Sequence, residues 1–288
     1  MKNISIYHEY PISEQLKPNE ETEEWSRDSG DGFGRLGTQE LYSLYKYRVL
    51  NKENIEKCVN LKHPNEWKRG NVKRVLPMLR AGGFIACKGY KDSDMESGCY
   101  GLVLYMLTEK GLLEVIKEKE NAQKKNLVLE WDDNKLLKTA SLNQWHISLL
   151  YSYRKAVISS IYNNFALEGN NIVPSVVKVK NGAKKATIFA FESPRKEEEI
   201  KPFLIQVLKL ESYLLSAYQY RPSMIVAVTE SPKTCAWLTW QINKYRETRK
   251  INTLVSLDYI TNLEEPLRYL QVCVADEEGI KRLNMNFM

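Results

Sequence analysis

From Thr38 to Gly111 the chain reads TQELYSLYKYRVLNKENIEKCVNLKHPNEWKRGNVKRVLPMLRAGGFIACKGYKDSDMESGCYGLVLYMLTEKG, three helix-like segments followed by two strand-like ones. The first helix begins near Thr38, with Leu41, Leu44 and Tyr45 on one side. The second follows Asn51, whose short amide side chain suits an N-cap, and turns Ile55, Cys58 and Val59 inward. The third occupies about Glu66 to Ala81. Val72, Val75, Leu76 and Leu79 share one arc of its wheel, while Arg69, Lys73 and Arg80 fall within about 40° on another and Arg74 lies further round. Pro77 falls inside this helix and would cost about 3 kcal/mol in a regular interior, which predicts a kink or a late start near Gly70 or Asn71. Phe84 to Tyr90 and Tyr100 to Leu107 then form a ribbon around the loop Lys91 to Gly98, closed by Thr108-Glu109-Lys110-Gly111.

Three helices and a ribbon in this order make a winged helix, with the third helix where such units meet a DNA major groove. The charge agrees. Residues 62 to 91 hold Lys62, Lys68, Arg69, Lys73, Arg74, Arg80, Lys88 and Lys91 against the single acid Glu66, whereas residues 1 to 37 hold four bases against eight acids. A local positive field of this kind suits an anionic polymer better than a small acidic substrate. The DNA-binding set is therefore Lys68, Arg69, Lys73, Arg74 and Arg80 on the third helix, with Lys88 and Lys91 at the base of the wing. The acids of the wing tip, Asp92, Asp94 and Glu96, leave the tip itself without an assigned contact.

The remaining composition narrows the function classes. A length of 288 residues and a net charge of +6 fit two ordinary domains. There is no run of about 18 apolar residues and no secretory leader pattern, so a cytoplasmic protein without a membrane span is expected. Five cysteines without Cys-x-x-Cys spacing and three histidines predict no metal site, and the thiols read as small buried side chains. Cys87 and Cys99 lie on the two wing strands, where they could face each other. Tyr42, Tyr45 and Tyr47 could supply a nucleophile against DNA, but metal-dependent chemistry of that kind needs clustered histidines, so packing is expected instead.

Outside the opening stretch, the acidic residues 1 to 37, broken by Pro11 and Pro18 and ending in Ser29-Gly30-Asp31-Gly32-Phe33-Gly34, read as a flexible arm. Thr108 caps a helix through about Glu120, and Trp131-Asp132-Asp133-Asn134 belongs to a polar linker. Leu142 to Asn163 reads as one amphipathic helix with Leu142, His146, Leu149, Tyr153, Val157 and Ile161 on a stripe, His146 being an interior residue. Strands are expected at Ile172 to Val179 and Ala186 to Phe191, joined through Asn181-Gly182, then a helix from about Lys201 to Ala217 and the buried strand Met224 to Val228. A helix opened by Ser231-Pro232 and strands at Thr253 to Leu257 and Tyr269 to Val274 complete an α/β domain with a mixed sheet.

Helix, hairpin, helix and buried strand is also the outline of the restriction-endonuclease-like core. That chemistry needs an acid after a proline or apolar residue and then Glu-x-Lys on the next strand, so that two carboxylates hold a divalent cation and the lysine positions water. Here the first position reads Pro174-Ser175, and the strand end reads Phe191-Glu192-Ser193-Pro194. One acid is present; the other acid and the lysine are not. Glu192, with Glu168 and Lys209 (or Lys196) as recruits from neighbouring elements, is the only set from which a relocated site could be built.

Leu107-Thr108-Glu109-Lys110-Gly111, Leu142-Asn143-Gln144-Trp145-His146, the Pro174 strand, Phe189-Ala190-Phe191-Glu192 and Lys209-Leu210-Glu211-Ser212-Tyr213, in this order, resemble the replication-relaxation family of plasmids and conjugative elements over about residues 36 to 230. The resemblance implies an α+β winged helix followed by an α/β restriction-endonuclease-like domain, working in plasmid replication, mobilisation or its control. The expected division is an arm over 1–37, a winged helix over 38–125, a linker over 126–141 and a nuclease-like domain, degenerate at its site, over 142–288. The expected partners are double-stranded DNA, a second copy through the C-terminal domain, and plasmid replication or transfer proteins. No cofactor is expected; magnesium or manganese enters only if the domain is a nickase. A winged helix that binds a protein or regulates transcription is the remaining alternative.

Overall fold

The structure is a computed structural model, and it describes residues 23–25, 37–62, 70–90, 102–118, 127–152, 158–167, 171–181, 184–218, 225–229, 237–238, 240–241, 253–257, 271–276 and 279–284. The chain divides into two compact units. One is Arg27–Ile147; the other combines Met1–Ser26 with Ser148–Met288.

The first unit runs α1 (Thr38–Tyr47), β2 (Val49–Asn51), α2 (Lys52–Lys62), α3 (Gly70–Ala81), β3 (Ile85–Gly89), β4 (Val103–Leu107) and α4 (Glu109–Glu118), β1 (Glu23–Trp25) preceding it in the chain. Its three strands are antiparallel in the order β2-β4-β3, with Ile85 opposite Leu107 and Val49 opposite Met106. This is the helix-strand-helix-helix-ribbon arrangement of a winged helix. Asn51 caps α2 as its side chain predicts, accepting from the Asn54 N–H at 2.8 Å. Val72, Val75, Leu76 and Leu79 of α3 are buried together with Leu41, Leu44, Ile55 and Val59. Four such side chains contribute roughly 6–12 kcal/mol as an upper bound, which outweighs the roughly 3 kcal/mol cost of Pro77 within α3. The described part of the helix begins at Gly70, and the carbonyl that Pro77 leaves without its i+4 donor is that of Lys73, on the exposed side where water can serve it.

Residues 126–141 differ from the linker expected there. Asp132 accepts from the Lys135 N–H at 2.8 Å and so caps α5 (Asp133–Ser152), twenty residues long. Val128 and Leu136 lie in a core with Val49, Leu104 and Met106. The buried Asn143 amide donates to the carbonyls of Tyr47 (2.6 Å) and Val49 (3.0 Å), on either side of Arg48, which holds a left-handed φ of 67°. Hydrophobic and polar contacts together thus draw the start of α5 into the winged-helix core.

The second unit is built on an eight-stranded mixed sheet in the order β1-β5-β6-β7-β8-β9-β10-β11, with β5 (Ile158–Leu167), β6 (Asn171–Asn181), β7 (Lys184–Glu192), β8 (Ile225–Thr229), β9 (Thr253–Leu257), β10 (Gln271–Asp276) and β11 (Gly279–Asn284). The pairs β5–β6 and β6–β7 are antiparallel; β7–β8 and β8–β9 are parallel. Helix α6 (Glu197–Tyr218) joins β7 to β8 and buries Ile200, Phe203, Leu204, Val207, Leu210 and Leu214, in a core with Phe189, Phe191, Ile225 and Ala227. Its first turn is closed by Glu199, whose carboxylate accepts from the Arg195 N–H at 2.7 Å.

Two sequence expectations fail here for the same reason. The helix expected over 142–163 ends at Ser152, and Ile158–Leu167 is a strand, because Ile161 and Tyr162 gain partners on both sides: Val177 and Val176 on β6, Trp25 and Glu24 on β1. The arm expected over 1–37 likewise contributes Glu23–Trp25 as an edge strand. β11 was not foreseen either. The glycine-rich stretch 29–34, the wing tip 91–98, Gly182 and the helix expected from Ser231-Pro232, of which only 237–238 and 240–241 are seen as helical, lie wholly or mainly outside the described residues.

Candidate nucleic-acid interface

The exposed arc of α3 gathers the basic side chains of this unit's third helix. Lys73, Arg74, Pro77, Met78, Arg80 and Ala81 are exposed, the helix carries no acid over Gly70–Ala81, and no salt bridge between described residues engages Lys73, Arg74 or Arg80. Taking Pro77 as the centre line, Lys73 and Arg80 stand about 40–60° to one side, and Ala81, Arg74 and Met78 follow on the other, at about 100° per residue. Three of the predicted bases therefore share one open face. Lys68, Arg69 and Lys91 lie outside the described residues.

The end of α3 is held by hydrogen bonds from its own chain and from the Thr108–Gly111 segment. Gly83 holds a left-handed φ of 73°, the Phe84 N–H donates to the Leu79 carbonyl (2.9 Å) and the Gly83 N–H to the Arg80 carbonyl (3.0 Å), the two bonds of a Schellman cap. The carbonyls of Gly82, Gly83 and Phe84, just past the helix, are taken by the Thr108–Gly111 segment. The Thr108 hydroxyl donates to the Gly83 carbonyl at 2.6 Å, with the Phe84 carbonyl 3.0 Å away, and it accepts from the Gly111 N–H at 3.2 Å as N-cap of α4. Lys110 donates to the Gly82 carbonyl at 2.7 Å, and its ammonium lies 4.3 Å from the Phe84 ring centroid. A cation at the C-terminal end of α3 also complements the helix dipole.

Lys88 does not stand free as the sequence suggests. Its ammonium lies 2.5 Å from Asp133 at the start of α5, and the Tyr90 hydroxyl donates to the same carboxylate oxygen at 2.9 Å. The Lys88 and Tyr90 hydrogen bonds hold the Asp133 carboxyl below the usual carboxylate range. The pairing joins residues far apart in the chain, so nothing in the local charge pattern announces it.

Burial pushes the Tyr47 hydroxyl well above the usual phenol range, and Tyr42 stacks on Tyr45 with ring centroids 6.1 Å apart. Burial also lowers His146 to about 3, keeping it neutral and against the Trp145 ring. Burial raises the Glu40 carboxyl, partly offset by the backbone N–H groups of Glu40 and Gly37 at the start of α1. Cys58 and Cys87 are free thiols; Cys99 is outside the described residues.

In the second unit, Ser175 on β6 is buried and pairs with Asn163 and Ala190. Glu192 ends β7 half-buried, followed by the buried Ser193 and Pro194. Lys209 is exposed on α6, about 200° round from the buried Val207, so the helix turns it away from the core face. Lys196 is exposed, and Glu168 is outside the described residues. Among the described residues no group of three or more His, Cys, Asp or Glu side chains is placed to hold a metal ion, and no helix is long and apolar enough to cross a membrane.

The chain matches no protein-family model and no curated protein. Among solved structures, the crystal structure of Bacillus subtilis PadR in complex with operator DNA aligns with 74% of this chain and 94% of that chain, at 12% identity and a TM-score of 0.25. Likeness at that level carries no weight for fold or ligand, and the winged-helix assignment rests on the element order and sheet pairing described above. Two features of the face escaped the reading of its charges: Pro77 and Met78 are exposed beside the bases. The wheel already places Pro77 on the same arc as Lys73, and that was the available signal.

Proposed function

We propose that the protein binds double-stranded DNA through its winged helix, with α3 in the major groove and Lys73, Arg74 and Arg80 on phosphates and guanine edges. The observation that carries this reading is the acid-free exposed arc of α3, with three bases that no described acid bridges on a helix whose end is tied down by Thr108 and Lys110. Lys68, Arg69 and Lys91 extend the contact. Occupying a DNA site, as a regulator does, is favoured over cutting it, because serine at 175 supplies no carboxylate for a cation and proline at 194 no ammonium. A role in plasmid replication or mobilisation is what the family resemblance adds.

Binding to duplex DNA should weaken with salt at a log–log slope of about −4 to −6, as five or six phosphate contacts require. Lys73→Ala combined with Arg74→Ala should reduce affinity and flatten the slope by about 2. Binding that ignores salt, or that survives the double substitution unchanged, overturns the proposal.

A nickase is the second reading. The succession of α5, the antiparallel strands β5 to β7, α6 and the parallel β8 favours it, since this is the order of the restriction-endonuclease-like core. Magnesium- or manganese-dependent nicking of supercoiled plasmid, lost in Glu192→Ala, would establish it against the regulator.

A further inference from the structure

Met78 is 67% exposed and Pro77 is exposed beside it, although α3 buries four other apolar side chains. Most of Met78 is left in solvent, and a proline in a helix interior removes a hydrogen bond. Their position is what distinguishes them. Pro77 and Ala81 lie along the middle of the exposed arc, Lys73 and Arg80 flank them on one side, and Arg74 with Met78 borders the other. A helix laid in a major groove has a phosphate strand along each flank and base edges beneath its centre line. On α3 the flanks are cationic, while the centre line carries no side-chain donor or acceptor at all.

Such a strip cannot read the amide, amino or carbonyl groups of base edges. The one apolar group that ordinary base pairs present in the major groove is the C5-methyl of thymine. Resting on the DNA-binding reading above, we propose that Pro77 and Ala81 are specificity-determining residues that read thymine methyl groups, so that the bound site carries thymines beneath the middle of α3. The bases on either side hold the helix on phosphates and neighbouring guanine edges, and the apolar strip adds the selection for thymine.

The test uses the full chain and duplexes selected by it from a random-sequence pool. The selected sites should contain thymines at fixed central positions. The same duplexes resynthesised with uracil in place of those thymines lose only methyl groups, and they should bind about three- to tenfold more weakly, as one or two buried methyls predict. The salt slope should not change. Ala81→Ser, which puts a hydroxyl on the strip, should bind the two duplexes more nearly alike on the same slope, and Pro77→Ala, which removes no helix hydrogen bond, should narrow the thymine preference without unfolding α3. Equal affinity for thymine and uracil duplexes, with salt-dependent binding intact, overturns this inference and leaves the DNA-binding reading standing. Absence of salt-dependent binding to either duplex sinks both.

Discussion

Gly111 shows how a single residue fixes the end of α3. A Cβ at this position would lie 2.0 Å from the Phe84 carbonyl oxygen, a backbone atom that is held by Thr108 and cannot step aside. Gly111→Ala should therefore destabilise the first unit by about 2–4 kcal/mol in urea denaturation, the range of a forced backbone shift. Gly89→Ala is the matching control: nothing lies within 4 Å of a Cβ there, and its effect should stay near zero. Equal losses at the two positions would refute the account. The sequence marks Thr108-Glu109-Lys110-Gly111 as the close of the ribbon, but not why glycine is needed, because the obstructing carbonyl belongs to a different element. The bases were legible for the opposite reason: Lys73 and Arg80 share an arc by local periodicity alone.

At the level of elements, the helices and ribbon of the first unit could be read because each carries its own period and cap, as Asn51 does for α2. β5 could not. Its residues continue the apolar stripe of α5 at helical spacing, and only pairing with β6 and β1 makes them extended. Ser175 and Pro194, whose identities alone bear on nuclease chemistry, needed no fold to be read, whereas the outward setting of Lys209 did. The tie between β3 and α5 was hidden in the same way, and it has a consequence for binding. Asp133 holds Lys88 in an ion pair and places an acid beside the wing. Asp133→Asn should release Lys88 to a phosphate, tighten binding to duplex DNA severalfold at low salt, and steepen the salt slope by about 1. Affinity and slope both unchanged in the variant would mean that Lys88 does not reach the backbone.

At the scale of the molecule, the extent of the winged-helix unit becomes measurable. Its core includes Val128 and Leu136, and Asn143 bonds two carbonyls beside Arg48. A fragment spanning residues 27–125 lacks all three, a deficit of about 4–9 kcal/mol from two buried apolar side chains and two hydrogen bonds, comparable with the whole stability of a small domain. A fragment spanning 27–152 should melt cooperatively, and 27–125 should show no cooperative transition by circular dichroism. Equal melting of the two would show that α5 is dispensable to the unit.

Thr108 stands at a joint: its one side chain holds the carbonyl of Gly83, in the turn that leaves α3, and caps the first turn of α4. Lys110, on the first turn of α4, reaches back to the Gly82 carbonyl, so the start of a ten-residue helix, about 15 Å long, and the end of α3 share one set of hydrogen bonds and are set by the same two side chains.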